Sequence, residues 1–333
     1  MKPITKLIYA ALAAVTLAIG SVTVNGAVND LFASINGNGE NGGSFIYQYT
    51  PTGVQSIFAS GLNHPRGVAS DHSGNLFVAT ATFDGSAYHG AIVKITPDGV
   101  QSTFATLSEQ NFEPEGVAFD LAGNLFVMAI NDSDPNFAST IFKFTPGGVQ
   151  STFGSVPGEG FGLAFDSAGN LFAADAGTAN GGQTIWKFTP DGTRSVFVIP
   201  SINPDQGPSG LAFDRFGNLF VSIETGFTGG PNDGVLKFTP NGVQSTFATG
   251  LTNYPRGLAF DRAGNLFVAE VGENPDPNVP APGDILKFRP DGVGTVFAQN
   301  IVPGGNNSGP EFLAFQLLPP HPTPPPHPTP RPH

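Results

Sequence analysis

The chain has 333 residues, with 14 Lys plus Arg against 26 Asp plus Glu, a formal net charge of −12. This balance argues against a nucleic-acid partner, because phosphate binding needs a basic surface. It leaves small polar or cationic ligands and divalent metals open. Cysteine is absent, so disulfides, thiolate catalysis and zinc–thiolate sites are excluded.

Residues 1–26 read as an export signal. Lys2 and Lys6 form a basic start, Leu7–Gly20 is an apolar run, and Val24 and Gly26 suit cleavage after Gly26. The run is shorter than the roughly 20 residues of a membrane span. An uncleaved anchor is the competing reading. The expected location is therefore secreted, periplasmic or at the cell envelope, with no membrane span after cleavage.

From residue 29 the stretch Asn-Leu-Phe-Val-Ala organises the chain. Preceded by Gly in five of the six copies, it begins at Asp30, Asn75, Asn124, Asn170, Asn218 and Asn265, at intervals of 45, 49, 46, 48 and 47 residues. A fixed period in that range marks a repeat architecture. Each unit holds four short apolar segments, A to D. Segment A reads G-[LV]-A-F-D, as at Gly116–Asp120 and Gly257–Asp261, with Ser70 replacing Phe in the copy at Gly67–Asp71. Segment B is the NLFVA stretch. Segment C reads [IVL]-x-K-F-T-P, as at Ile141–Pro146, and segment D reads V-Q-S-T-F-A, as at Val100–Ala105. All alternate in polarity, are rich in Phe, Val and Ile, and are bounded by Gly, Pro, Asp and Asn, which is the strand signature.

Asp-x-x-Gly-Asn joins A to B, and Thr-Pro-Asp-Gly joins C to D. Both are tight turns. The B–C loops (36–44, 82–90, 131–139, 272–284) and D–A loops (199–208, 299–310) are longer and variable. In an up-and-down meander one face is then uniform and the other variable, and binding sites favour variable loops on a rigid scaffold. Four-stranded units repeated about an axis make a β-propeller. The predicted fold is all-β: a six-bladed propeller over residues 27–318. The first copy lacks segment A, and the last copy ends with an A-like segment, Phe312–Gln316. Pairing it with Asp30–Ser34 closes the ring. The Phe residues of segments B and D are predicted to form the core between blades, and Trp186 is predicted to pack there too.

Residues 319–333 are expected to form a Pro-rich, disordered polyproline tail that serves as a spacer. His321, His327 and His333 recur along it every six residues, so weak metal capture is the alternative use.

The pattern P-x-G-[LV]-A-F-D-x-x-G-N-L-F-V-A … K-F-T-P-D-G resembles NHL-repeat propellers and the wider group of gluconolactonase-like (senescence-marker-protein) propellers and streptogramin lyases. The resemblance covers about residues 29–317. It implies the fold, and that fold hosts hydrolases, lyases and pure binders.

In such a ring the residue before the Gly of segment A lies at the mouth of the central channel. Around the ring these are Arg66, Glu115, Phe161, Ser209, Arg256 and Glu311. The gluconolactonase resemblance implies a Glu, Asn and Asp set here that holds a divalent cation and activates water. Glu115 and Glu311 match by type, while two arginines occupy positions where they would repel an ion. Arg256, Glu311, Arg66 and Glu115 are consecutive around the ring and alternate in sign. Two readings fit: a self-neutralised ion-pair arc, or a polar or carboxylate ligand site using the Arg fork. Asp175 and Glu270 follow segment B and could reach the rim. The lyase resemblance implies a His-based acid/base pair. Of the propeller histidines, His64 and His89 lie in variable loops of one blade, and His72 lies in a tight turn on the other face. The run Asp132–Asn136 begins like a calcium loop but lacks its Gly and places Lys143 at position 12. Calcium or another divalent cation on the variable loops stays open. The expected protein is a monomer that binds a protein, glycan or small polar ligand. The alternative is a metal-dependent lactonase or ester hydrolase.

Overall fold

The computed structural model describes residues 30–37, 44–178, 182–225, 233–251, 253–272, 282–301 and 309–316. The expected signal segment and Pro-rich tail lie outside them. Among the described residues all regular structure is β, arranged as six four-stranded antiparallel sheets. Each sheet is one blade. The innermost strands are Pro310–Phe315 in blade 1, Val68–Ser70 in blade 2, Phe112–Phe119 in blade 3, Gly160–Phe165 in blade 4, Gln206–Phe213 in blade 5 and Pro255–Phe260 in blade 6. Each contacts the innermost strand of the next blade, around the full ring.

The seam closes as the truncated ends require. Pro310–Phe315 pairs antiparallel with Leu31–Ile35, with Leu31 opposite Phe315 and Ala33 opposite Leu313. Blade 1 therefore joins the last described strand to the first three. No helix is long and apolar enough to cross a membrane among the described residues.

The tight turns repeat at atomic detail. In blades 2 to 6 the Asp of Asp-x-x-Gly-Asn accepts hydrogen bonds from the backbone N–H and the side-chain amide of its Asn. Asp120, for example, accepts from Asn124 N at 2.8 Å and Asn124 Nδ2 at 2.7 Å. Gly123 supplies the positive φ of 81° that the turn needs. Blade 1 has no such turn, because its first two strands, Pro310–Phe315 and Leu31–Ile35, are not consecutive in sequence. Instead Gln48 donates to Asp30 at 2.6 Å, and Gln316 donates to the carbonyl of Gly74 in the neighbouring turn at 2.6 Å.

The core lies between blades and is built from edge-to-face phenylalanines. Each segment-B Phe meets the segment-D Phe of its own blade and, with one exception, the segment-A Phe of the next. Phe126 contacts Phe153 and Phe165 at 4.8 and 5.1 Å, and Phe220 contacts Phe247 and Phe260 at 4.9 and 5.0 Å. The pattern crosses the seam, where Phe267 contacts Phe297 and Phe315. Ser70 breaks it between blades 1 and 2, and there Phe32 keeps only Phe58. The segment-C lysines lie over the same rings, as Lys143 does over Phe126 at 5.3 Å, a cation–π contact. Trp186 packs against the core of blade 4 and also donates Nε1–H to Asp175 at 2.8 Å.

Two local features differ from the sequence reading. The 82–90 loop of blade 2 is mostly hairpin, with Thr82 opposite His89 and Phe83 opposite Tyr88. Phe83 packs on Tyr88 and Asp84 caps the turn through Ser86 and Ala87. Segment A is also longer than five residues in blades 3 and 5, reaching back to Phe112 and Gln206.

Candidate functional site

The longer segment A carries a bulge that aims side chains at the channel. Pairing with segment B shifts register between Pro114 and Val117, Gly160 and Leu163, Pro208 and Leu211, and Pro255 and Leu258. The extra pair in each case is the mouth residue and its Gly. A bulge re-aims a side chain and bends its strand. The Gly is required because the next inner strand lies against it: a Cβ on Gly210 would meet the Arg256 carbonyl oxygen at 1.9 Å, and one on Gly67 the Glu115 oxygen at 2.2 Å. Both arginines arrive by the same device, Asn-[His/Tyr]-Pro-Arg-Gly. The residue before each Pro is forced to positive φ, 40° at His64 and 57° at Tyr254, a conformation that pre-proline residues avoid.

The four consecutive charged positions form one connected arc. Arg256 Nη1 lies 2.7 Å from Glu311, Glu311 lies 3.3 Å from Arg66 Nη1, and Arg66 Nε lies 3.5 Å from Glu115. Two further carboxylates extend it, Glu224 at 3.1 Å from Arg256 and Glu113 at 3.5 Å from Arg66. Burial raises the Glu311 carboxyl, but Arg256 and Arg66 outweigh it and hold it below the ordinary range. Burial also pulls the arginines down, and the surrounding carboxylates more than restore them, so both stay charged. Glu115 behaves oppositely. Its burial exceeds the pull of Arg66 and pushes it up to about 8.

Above the arc, at the variable-loop end of the channel, lies a cavity of about 530 Å³. Arg66, Glu115, Phe161 and Arg256 line it from the mouth ring. Glu113, Asp132, Glu159 and Glu224 line it from around them, with Phe137 and Tyr254. Of the other expected residues, Ser209 is fully buried with an unpartnered Oγ and is not in the cavity wall. Asp175 is fully buried, and its carboxylate accepts from Trp186 and from Gly177 N. Glu270 is buried on its strand opposite Pro255. His64 is half-buried outside the cavity wall, and His89 is bound to Asp84 at 2.8 Å. The run Asp132–Asn136 is a turn in which Asn131 and Asp134 accept from Ser133 N and Asn136 N.

The sequence reading missed Glu113, Glu159 and Glu224, and assigned Asp132 elsewhere. Glu113 and Glu159 stand two residues before their mouth residues, the same place that His64 and Tyr254 hold in their blades. Reading that position around the ring would have found them. Glu224 stands on its segment-B strand opposite Gly207, one residue past the column that holds Asp175 and Glu270, and Asp132 begins the turn just after its strand ends at Asn131.

No protein-family model matches the sequence, and no curated protein sequence matches it. Solved structures do share its architecture. A gluconolactonase from Xanthomonas campestris is 17% identical over 74% of this chain and 84% of its own, with a TM-score of 0.54. The chain has the fold of the gluconolactonase-like propellers. A catalytically inactive virginiamycin B lyase from Staphylococcus aureus with quinupristin shares 15% identity over 82% and 86%, with a TM-score of 0.53. The calcium-binding protein regucalcin from Agrobacterium tumefaciens shares 13% over 72% and 81%, with a TM-score of 0.52. At these identities the likeness is one of fold, and activity has to be argued from the site.

The divalent cation that a gluconolactonase-like fold implies does not fit the mouth ring of this chain. Glu115 and Glu311 are its two carboxylates, and the Arg66 guanidinium stands within 3.5 Å of both. An ion held there would meet a fixed positive charge in low dielectric. Among the described residues no three Asp, Glu or His side chains converge as a metal-holding group.

The excess of acid gives a pH signature. Burial, helped by Glu113, pushes Asp132 up to about 6, and burial also raises Glu159 and Glu224. A carboxyl raised by folding contributes stability fully below its ordinary value and loses it as pH rises through the folded value. For Asp132 and Glu115 that window runs from their ordinary values of 3.8 and 4.5 to about 6 and about 8. Glu311, held low, works in the opposite sense and loses its contribution only as pH falls below its ordinary value. Melting temperature is therefore expected to peak near about pH 5 and to fall toward pH ~8. A melting temperature that is flat or rising across that interval would contradict the assignment.

Proposed function

We propose that this protein is an exported ligand-binding propeller, acting through its variable-loop face with the cavity at the channel mouth as its binding site. The reading is supported above all by the state of the two arginines. Arg66 and Arg256 are each engaged by carboxylates within 3.5 Å. This makes the arc a self-neutralised floor, where a lactonase needs oxygen ligands free for an ion. It also removes the Arg fork from service as a carboxylate receptor. Export rests on the basic–apolar pattern of residues 1–26.

The second reading, a metal-dependent lactonase or ester hydrolase, is favoured by one observation. Glu115 is a buried carboxyl with its pKa raised to about 8 at the end of a channel, as a proton-transferring group would be.

One experiment separates the two. Calcium and zinc are titrated calorimetrically into the purified protein and into a chain ended at residue 318, which removes the three tail histidines. Hydrolysis of gluconolactone is assayed beside each titration. The binding reading expects no stoichiometric metal site in the shortened chain and no metal-dependent hydrolysis. One-to-one metal binding that is lost in Glu115→Ala, with lactone turnover, would establish the hydrolase instead.

A further inference from the structure

We propose that the channel-mouth cavity takes a small organic cation, a molecule carrying a protonated amine, held by Asp132, Glu159 and Glu115. The proposal deepens the binding reading above and depends on it. Its first ground is charge. Six acidic residues line the cavity (Glu113, Glu115, Asp132, Glu159, Asp205 and Glu224) against Arg66 and Arg256. Both guanidiniums are committed to Glu113, Glu115, Glu224 and Glu311. Among the described residues neither Asp132 nor Glu159 has a basic side chain within 4.0 Å; both line the cavity, Glu159 partly buried and Asp132 at its exposed rim. A carboxylate withdrawn from water without a partner is unfavourable, and a protein retains one where a counter-charge arrives from outside.

The second ground is Glu115. It is 2% exposed and lines the cavity, yet its Oε2 has no hydrogen-bond partner. Buried side-chain oxygens normally find a donor. Here the neighbouring Arg66 falls short at 3.5 Å, and Arg66 Nε is itself without a hydrogen bond. An ammonium has three N–H donors and no acceptor, so it suits a site with spare acceptors. A carboxylate or phosphate ligand would bring more acceptors to the same place.

The walls and size agree. Phe137 and Tyr254 line the cavity beside the acids, and aromatic faces attract organic cations. Its volume of about 530 Å³ suits a small molecule. A bare divalent ion is disfavoured by the guanidiniums and by the lack of a converging carboxylate group. A cation spread over several atoms can meet the separate carboxylates without displacing either arginine.

The test is calorimetric titration of the purified protein with 1,4-diaminobutane and agmatine, beside the neutral 1,4-butanediol and the anionic glutarate. The diamine or agmatine is expected to bind one to one, and the diol and diacid not to bind. Because a bound cation draws protons off the raised carboxyls, the heat is expected to vary with the ionisation enthalpy of the buffer. Asp132→Asn and Glu159→Gln are each expected to weaken binding about tenfold or more, as for loss of one charge-assisted contact. Both variants are expected to melt no lower than the parent near neutral pH, which separates lost binding from lost folding. Cation binding untouched by both variants would overturn the proposal. Binding of the diol or diacid that the two variants abolish would overturn the ligand class while leaving the cavity as a binding site. No binding by any probe to the folded protein would overturn the ligand class, while the metal titration above decides the binding reading separately.

Discussion

Deletion of residues 310–318 is expected to abolish the monomeric, cooperatively folding protein. The strand Pro310–Phe315 forms the inner edge of blade 1, and without it the backbone of Leu31–Ile35 becomes an unpaired edge in a fold that depends on closure. The strand also carries core contacts on both sides. Phe315 meets Phe267 of blade 6 at 5.3 Å, while Phe312 and Ala314 pack with Val68 and Val78 of blade 2. Full burial of one such side chain contributes about 1.5–3 kcal/mol, so losing several together consumes much of a typical net stability of about 5–15 kcal/mol. Glu311 goes with the strand, and both channel arginines lose a partner. Size-exclusion chromatography and calorimetry should show aggregated or molten material. A monomer with one sharp transition near the parent melting temperature would refute closure by this strand.

Glu311→Ala is expected to be among the most damaging single changes, at about 3–5 kcal/mol by urea denaturation, the range for removing one partner of a buried ion pair. Glu311 is 3% exposed and, among the described residues, is the one carboxylate that bridges both guanidiniums. Its removal leaves Arg66 on Glu113 and Glu115 at 3.5 Å and Arg256 on Glu224. Glu113→Ala, at the more exposed rim with a contact of 3.5 Å, should fall nearer the ~0–1 kcal/mol of a surface pair. Equal and small losses in both variants would mean that the arc does not neutralise itself across Glu311.

The seam was legible in the sequence because the first copy lacks segment A and Phe312–Gln316 supplies it. The arc was legible because the bulge occurs at one fixed place, before the Gly, so a ring can be read down a single column of residues. The bulge itself was signalled only by that Gly within a strand pattern, and nothing marked the position two residues before the mouth residue, where Glu113 and Glu159 line the cavity. Asp132 escaped because it lies beyond its strand, in a turn of a loop whose length differs from blade to blade, and Glu224 because it stands one place past the column of Asp175 and Glu270 on its own strand. The arginine fork was legible as residue type but not as availability. Only the distances from Arg66 and Arg256 to their five carboxylate contacts show it already engaged. Asp175 looked like a rim carboxylate because nothing in its segment announces that Trp186, eleven positions on, turns back to bind it.

The account turns on whether the mouth ring is a closed set of ion pairs or the donor set of a metal. The most direct measurement is a crystal structure of the protein grown in calcium. The account predicts Arg66 and Arg256 still lying between Glu115, Glu311 and Glu224, with no ion on the channel axis. Calcium coordinated by Glu115 and Glu311, with the guanidiniums swung away, would contradict it.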